Sequence, residues 1–172
     1  ITKFLISVSE FLQYQWYIVI IALVAVFFLF RSWYRSEKGR MSFDRKILKM
    51  PIIGSIAIRV NVSTFTKTLS TLLGSGVPII EALEITKNII GNKCISDVVG
   101  ESKIAVQEGE SLGGVIEKSG QFPALVSHMI KTGEKTGELE NMLQHVAKAY
   151  DAEVERKIES LIAMIEPIMI LV

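Results

Sequence analysis

The stretch Phe65-Thr-Lys-Thr-Leu-Ser-Thr-Leu-Leu-Gly-Ser-Gly-Val-Pro-Ile-Ile-Glu-Ala-Leu83 decides the fold. Phe65, Leu69, Leu72 and Leu73 stand at i, i+4, i+7 and i+8, which lines one face of a helix. Gly74-Ser-Gly76 ends that helix. Val77-Pro78 opens the next, with proline at the first helical position, where a missing N–H costs nothing. Ile79, Ile80, Leu83, Ile85 and Ile89 carry the second helix, and Gly91-Asn92 closes it. So short a glycine connection makes the two helices antiparallel neighbours.

The helical period continues downstream. A third helix is expected from about Ser96 to Gln107, bearing Val98, Val99, Ile104, Ala105 and Val106, and Gly109 stops it. Ser111 reads as the N-cap of a short helix through about Lys118. Gly120-Gln-Phe-Pro123 breaks the chain, and Pro123 opens a fifth helix with Leu125, Met129 and Ile130. Gly133-Glu-Lys-Thr-Gly137 reads as a turn. A sixth helix then runs without a break from about Glu138 to Glu166. No stretch alternates as a strand would. The expectation is an all-α bundle of about six helices over residues 63–160.

Upstream, the chain changes character. Between Glu10 and Arg31 there is no charge, and Trp16 to Phe30 holds neither proline nor glycine. Residues 11–31 are long enough to cross a bilayer, which needs about 20 apolar residues in a helix. Trp16 and Tyr17 near one end, with Trp33 and Tyr34 past the other, suit the two interfaces. Residues 1–10 then form a short extracytoplasmic segment, because Arg31, Arg35, Lys38, Arg40, Arg45, Lys46 and Lys49 follow the run, and positive flanks stay cytoplasmic. Residues 32–62 are a basic juxtamembrane segment. Phe43, Ile47, Leu48, Ile52 and Ile53 suggest a short amphipathic helix there, interrupted at Pro51 and Gly54. Residues 161–172, apolar except for Glu166, read as the start of a second span, cut short. The chain opens at Ile1 rather than methionine and reads as the interior of a longer protein.

Charge is divided along the chain. Residues 1–59 carry +6 and residues 60–160 carry −4. The mildly acidic bundle argues against nucleic acid as a partner, which would need a basic face, and leaves room for a protein with basic patches. Cys94 is alone, so no intramolecular disulfide forms.

No constellation for catalysis emerges. His128 and His145 are isolated, and no Cys/His cluster has zinc spacing. Gly133-Glu-Lys-Thr lacks both the spacing and the preceding strand of a phosphate loop. No cofactor or metal is expected. The carboxylates of the last helix, Glu138, Glu140, Asp151, Glu153, Glu155 and Glu159, read as a solvated face, with Glu153 and Lys157 an i, i+4 pair. A docking surface for a partner or a divalent ion is the sharper alternative. Glu134, between two glycines, is placed to cap a helix end. Glu166 stands in an apolar run just before Pro167, where an ionisable group is either functional or interfacial; Pro167 removes a helical hydrogen bond and favours a kink.

Five blocks recur in order: Phe65 to Leu83, Gln107-Glu-Gly-Glu-Ser-Leu112, Phe122-Pro123, Gly133-Glu-Lys-Thr-Gly-Glu-Leu139 and Glu166-Pro167. Together they resemble the F-type inner-membrane platform proteins of bacterial type II secretion systems and type IV pilus machines, over that family's second cytoplasmic domain and its flanking spans. The resemblance implies a non-enzymatic, multi-pass protein of the bacterial inner membrane. It implies coupling of a cytoplasmic assembly ATPase to movement of pilins or pseudopilins, with other inner-membrane machine components and membrane lipid as partners. A homo-oligomer is expected, since spans in such machines usually pack on copies or partners. Gly74, Gly76, Pro78, Pro123, Gly133, Glu134, Gly137, Glu166 and Pro167 are then candidates for turns, packing or partner contact. A transporter or channel subunit, motivated by Glu166 and the spans, is the alternative function. A membrane-anchored enzyme comes third.

Overall fold

The computed structural model describes residue 24, residues 37–51 and residues 53–171. The expected span at 11–31, with its aromatic flanks, lies outside the described residues apart from Val24. The side chains of Glu166 and Pro167 lie outside them as well. Seven helices are described: α1 (Glu37–Lys49), α2 (Ile53–Gly74), α3 (Ile79–Ile89), α4 (Lys93–Gln107), α5 (Leu112–Ser119), α6 (Ala124–Thr136) and α7 (Leu139–Leu171). No strand occurs among the described residues. The chain divides into two units, residues 1–43 and 44–172. In the first, the described residues are Val24 and the opening of α1; everything below concerns the second.

Helices α2 to α7 form the bundle, each packed on the next, and α7 closes back on α2. Each helix sends two or three apolar side chains inward: Val62, Phe65 and Leu69 from α2, Ala82 and Leu83 from α3, Ile95 and Val99 from α4, Leu112 and Ile116 from α5, Val126 and Ile130 from α6, Leu143 and Val146 from α7. Phe65 meets Phe122 edge to face, with ring centroids 5.2 Å apart. Buried hydroxyls on these helices satisfy themselves locally. Thr66, Thr86 and Ser102 each donate to the carbonyl four residues earlier, so small polar residues sit in the interior without an orphaned group.

Local chemistry sets the helix ends. The α2–α3 turn is a Schellman motif: Gly76 N–H donates to the Leu73 carbonyl and Val77 N–H to that of Leu72. Gly76 has φ 80°, the left-handed conformation the motif requires. Pro78 and Pro123 occupy the N-cap positions of α3 and α6, one residue before the helical position expected for them. Ser111 caps α5 as its sequence suggests, accepting from Gly114 N–H at 3.1 Å.

Several boundaries differ from the sequence expectation. Gly54 does not interrupt a helix; it lies buried inside α2, where an added Cβ would strike the carbonyls of Ile47 and Leu48. The chain breaks helix at Met50 and Pro51, and α2 starts at Ile53, ten residues before 63. Asn92 does not close α3. Its side chain caps α4 by accepting from Cys94 and Ile95 N–H, so α4 begins at Lys93 rather than near Ser96. Ile104 and Leu125, apolar members of their helices, point outward at 57% and 54% exposure. Helix α7 is unbroken through Pro167, so that residue does not end it.

Candidate partner surface at the glycine turns

Three of the five signature blocks gather at one end of the bundle. Helices α2 and α7 run antiparallel: Gly74 abuts Glu140, Ser63 hydrogen-bonds Asp151, and Arg59 pairs with Glu153. The C-terminal end of α2 and the α2–α3 turn thus lie beside the start of α7. The C-terminal end of α6 leads into that start, and Glu134 of α6 holds the start of α5. Gly74–Pro78, Gln107–Leu112 and Gly133–Leu139 therefore form one distal end. Pro123 opens α6 and lies at the other end, as does the apolar end of α7.

Glu134 is the hub of the distal end. Its carboxylate accepts from Ser111 Oγ and Leu112 N–H, both at 2.6 Å, and from Gly113 N–H at 3.3 Å. A carboxylate on the orphan amides of a helix start is favoured both by hydrogen bonding and by the helix dipole. Gly113 then slides under α6, where an added Cβ would come within 2.8 Å of Lys131 N and 3.0 Å of Ser127 O. An open cleft of about 610 Å³ lies between these helices, with Gly114, Lys131 and Lys135 on its walls.

Gly133 is not part of a turn. It is buried within α6, and its missing side chain lets α7 approach: a Cβ there would lie 2.7 Å from Leu139 Cα. The reversal comes at Gly137 alone, with φ 75° and Glu138 N–H returning to the Gly133 carbonyl at 3.0 Å. Exposed carboxylates crowd this end: Glu81 in the first turn of α3, Glu108 and Glu110 after α4, Glu138 and Glu140 at the start of α7. Lys118 approaches Glu110 at 3.7 Å, and Lys131 pairs with Glu117 on the α5–α6 face.

The carboxylates of α7 are not all a solvated face. Glu153 pairs with Arg59 at 2.6 Å rather than with Lys157. Asp151 bonds to Ser63 and lies 3.3 Å from Lys67. The Ser63 hydroxyl, with Lys67 behind it, holds the Asp151 carboxyl below its ordinary value despite partial burial. Burial raises the Tyr150 phenol, and the Glu153 charge adds to that. Asp44, an acidic residue within the basic flank, is buried and accepts from Lys93 N–H at 2.7 Å. Asn61 accepts from the Asn92 amide beside it, tying α1, α2 and α4 together. Among the described residues no three His, Cys, Asp or Glu side chains are grouped to hold a metal ion. His128 and His145 are exposed.

Most of the signature residues serve turns, caps and close helix crossings, which defines a helical scaffold protein. Residues 65–172 match the family model of type II secretion system protein F, and the chain belongs to that family. Its members are structural platform components of bacterial secretion and pilus machinery, not enzymes. The chain is 40% identical over 172 residues to the type IV pilus assembly protein PilC of Thermus thermophilus, covering 99% of this chain and 42% of that one. It is 35% identical to the PilC protein of Pseudomonas aeruginosa, covering 99% and 46%. It is 32% identical to type II secretion system protein F of Aeromonas hydrophila, covering 98% and 44%. The chain thus spans less than half the length of these relatives.

Proposed function

We propose that this chain is the cytoplasmic bundle and adjoining membrane segments of an inner-membrane platform, which links an assembly ATPase to movement of pilins or pseudopilins. The observation that carries this reading is α7. It is one unbroken helix of 33 residues that begins among the distal turns and ends in the apolar run 161–171. At 1.5 Å per residue it is about 50 Å long. From the register of its pairing with α2, Ile53 lies level with about residue 160, so the apolar end projects past α2. A continuous helix carries a displacement of the bundle to the membrane segment without a hinge to absorb it. Among the described residues no single helix is long and apolar enough to cross a membrane. The multi-pass reading rests on the uncharged run at 11–31 and on the apolar run from Leu161.

The acidic distal end is the surface proposed to meet the ATPase, through basic residues of that partner. A homo-oligomer within the membrane machine completes the proposal. The test is charge reversal in the full-length protein: Glu108→Lys, Glu110→Lys, Glu138→Lys and Glu140→Lys together. Loss of secretion or pilus assembly with the protein still folded and membrane-bound is expected. Normal assembly with all four reversed would remove the distal end from the mechanism.

A further inference from the structure

A second charged site lies at the other end of the α2–α7 pair. Arg59 of α2 faces Glu153, Arg156, Lys157 and Ser160 of α7 across a cavity of about 290 Å³. Three cations share it with one carboxylate. Arg59 donates from Nε to Glu153 and from Nη1 to the Ser55 carbonyl at 2.9 Å, which orients the guanidinium and engages two of its five N–H donors. Arg156, Lys157 and Ser160 are exposed, and among the described residues no acidic side chain forms an ion pair with either cation. Glu155 falls on the far side of α7 at 3.6 residues per turn, and Glu159, three residues on from Arg156, neither lines the cavity nor pairs with that arginine. The site therefore keeps a surplus of two positive charges, while the rest of the bundle is acidic.

Its level along α7 identifies the ligand. Leu161 follows Lys157 by one turn on the same face, and from there the helix is apolar to its end except for Glu166. The cations thus stand where a helix passes from water into lipid, at the depth of the headgroups. A guanidinium and an ammonium around a small cavity match a phosphate oxygen set, and arginine does so with two parallel donors. The volume suits a headgroup, with acyl chains left to run beside the apolar part of α7.

The geometry points to this pocket as a binding site for the phosphate of an anionic phospholipid headgroup. The proposal rests on the reading of α7 as entering a membrane. A bound headgroup bridges α2 and α7 at the base of the bundle and fixes the angle at which the bundle leaves the bilayer.

The test uses the full chain purified in a neutral detergent and titrated with dioleoyl phosphatidylglycerol or dioleoyl phosphatidylcholine, with bound lipid counted by native mass spectrometry. Phosphatidylglycerol is expected to be retained in preference to phosphatidylcholine. Arg156→Gln with Lys157→Gln is expected to weaken its retention about 30-fold, from the contribution of each basic side chain at an anionic surface. The two residues are exposed, so the fold stays intact, and circular dichroism verifies this. Lys135→Gln with Lys148→Gln removes the same charge elsewhere and is expected to match the parent. Equal retention of both lipids, or equal loss in the two double variants, overturns the site. Displacement of phosphatidylglycerol by equimolar glycerol phosphate overturns it too, by assigning the pocket to a soluble phosphate. Partition of the chain into membranes, scored separately, tests the platform reading. A chain that enters membranes without this lipid preference sinks the headgroup site alone, and one that stays out of membranes sinks the reading of α7.

Discussion

Gly133→Ala is expected to destabilise the bundle, against the usual effect of removing a glycine from a helix. In the interior of a helix, alanine is favoured over glycine by about 1 kcal/mol. Gly133 has ordinary helical φ within α6, so that gain is available. Its cost comes from α7. The new Cβ would lie 2.7 Å from Leu139 Cα, 3.2 Å from Leu139 N and 3.2 Å from Met142 Cγ. Two of these atoms are backbone at the start of α7 and cannot rotate away. Overpacking a tight contact costs about 1–3 kcal/mol, and backbone on the receiving side favours the upper half of that range. The net loss is about 1–2 kcal/mol, which lowers the melting temperature by about 3–6 °C in a chain of this size. Gly114→Ala is the matched control. It lies in the first turn of α5, and its nearest neighbour would be Ser111 Cβ at 3.6 Å, an ordinary contact, so stability should rise or stay level. Thermal unfolding of the full chain in detergent, followed by circular dichroism at 222 nm, reads both. Gly133→Ala melting at or above the parent, in step with Gly114→Ala, would refute the close approach of α6 and α7.

Three other outcomes follow from the same contacts. Glu134→Ala removes the acceptor for three donors at the start of α5, a loss of about 1–2 kcal/mol confined to that helix; amide exchange at Leu112 and Gly113 should speed up while α2 and α3 stay protected, and unchanged exchange would contradict the cap. Phe65→Ala empties a fully buried site against Phe122 and should cost about 3–5 kcal/mol in urea unfolding, whereas a change under 1 kcal/mol would place Phe65 outside the core. The Asp151 carboxyl is held below its ordinary value of 3.8, so its contribution is present above that value and lost as pH falls through the lower folded one. Acid titration should therefore loosen the α2–α7 contact only below about pH 4, and Asp151→Asn should remove that loss from the segment's protection factors, the amide exchange rates divided by their intrinsic values at each pH.

Helix number and order were legible because each helix start or stop has a local cause. Pro78, Pro123, Ser111, Gly76 and Gly137 act on their immediate neighbours, and periodicity marks what lies between. The errors lie where one residue type serves two purposes. A glycine that turns the chain and a glycine that admits a neighbouring helix look alike in sequence, so Gly54 and Gly133 read as breaks although both are packed inside helices. Asn92 stands between two helices, and only the direction of its side chain decides which one it serves. The pairings of Arg59 with Glu153 and of Ser63 with Asp151 join residues 94 and 88 positions apart. No local pattern announces them, whereas the i, i+4 spacing of Glu153 and Lys157 offers a plausible local partner that the fold does not use. The convergence of three signature blocks at one end was likewise invisible until the antiparallel register of α2 and α7 was known.

That register separates the acidic turns from the basic pocket by the length of α2 from Arg59 to Gly74, about 22 Å. The platform reading assigns the two ends different partners, protein at one and membrane at the other. Photo-crosslinking in cells tests this most directly. In the full-length protein, a photo-reactive amino acid is placed at Glu108 or Glu138 on the distal end, and at Arg45 or Lys49 toward the opposite end. Adducts with the assembly ATPase from the first two positions, and none from the second two, are expected. ATPase adducts from Arg45 and Lys49 alone, or from none of the four, would contradict the distal end as the docking surface.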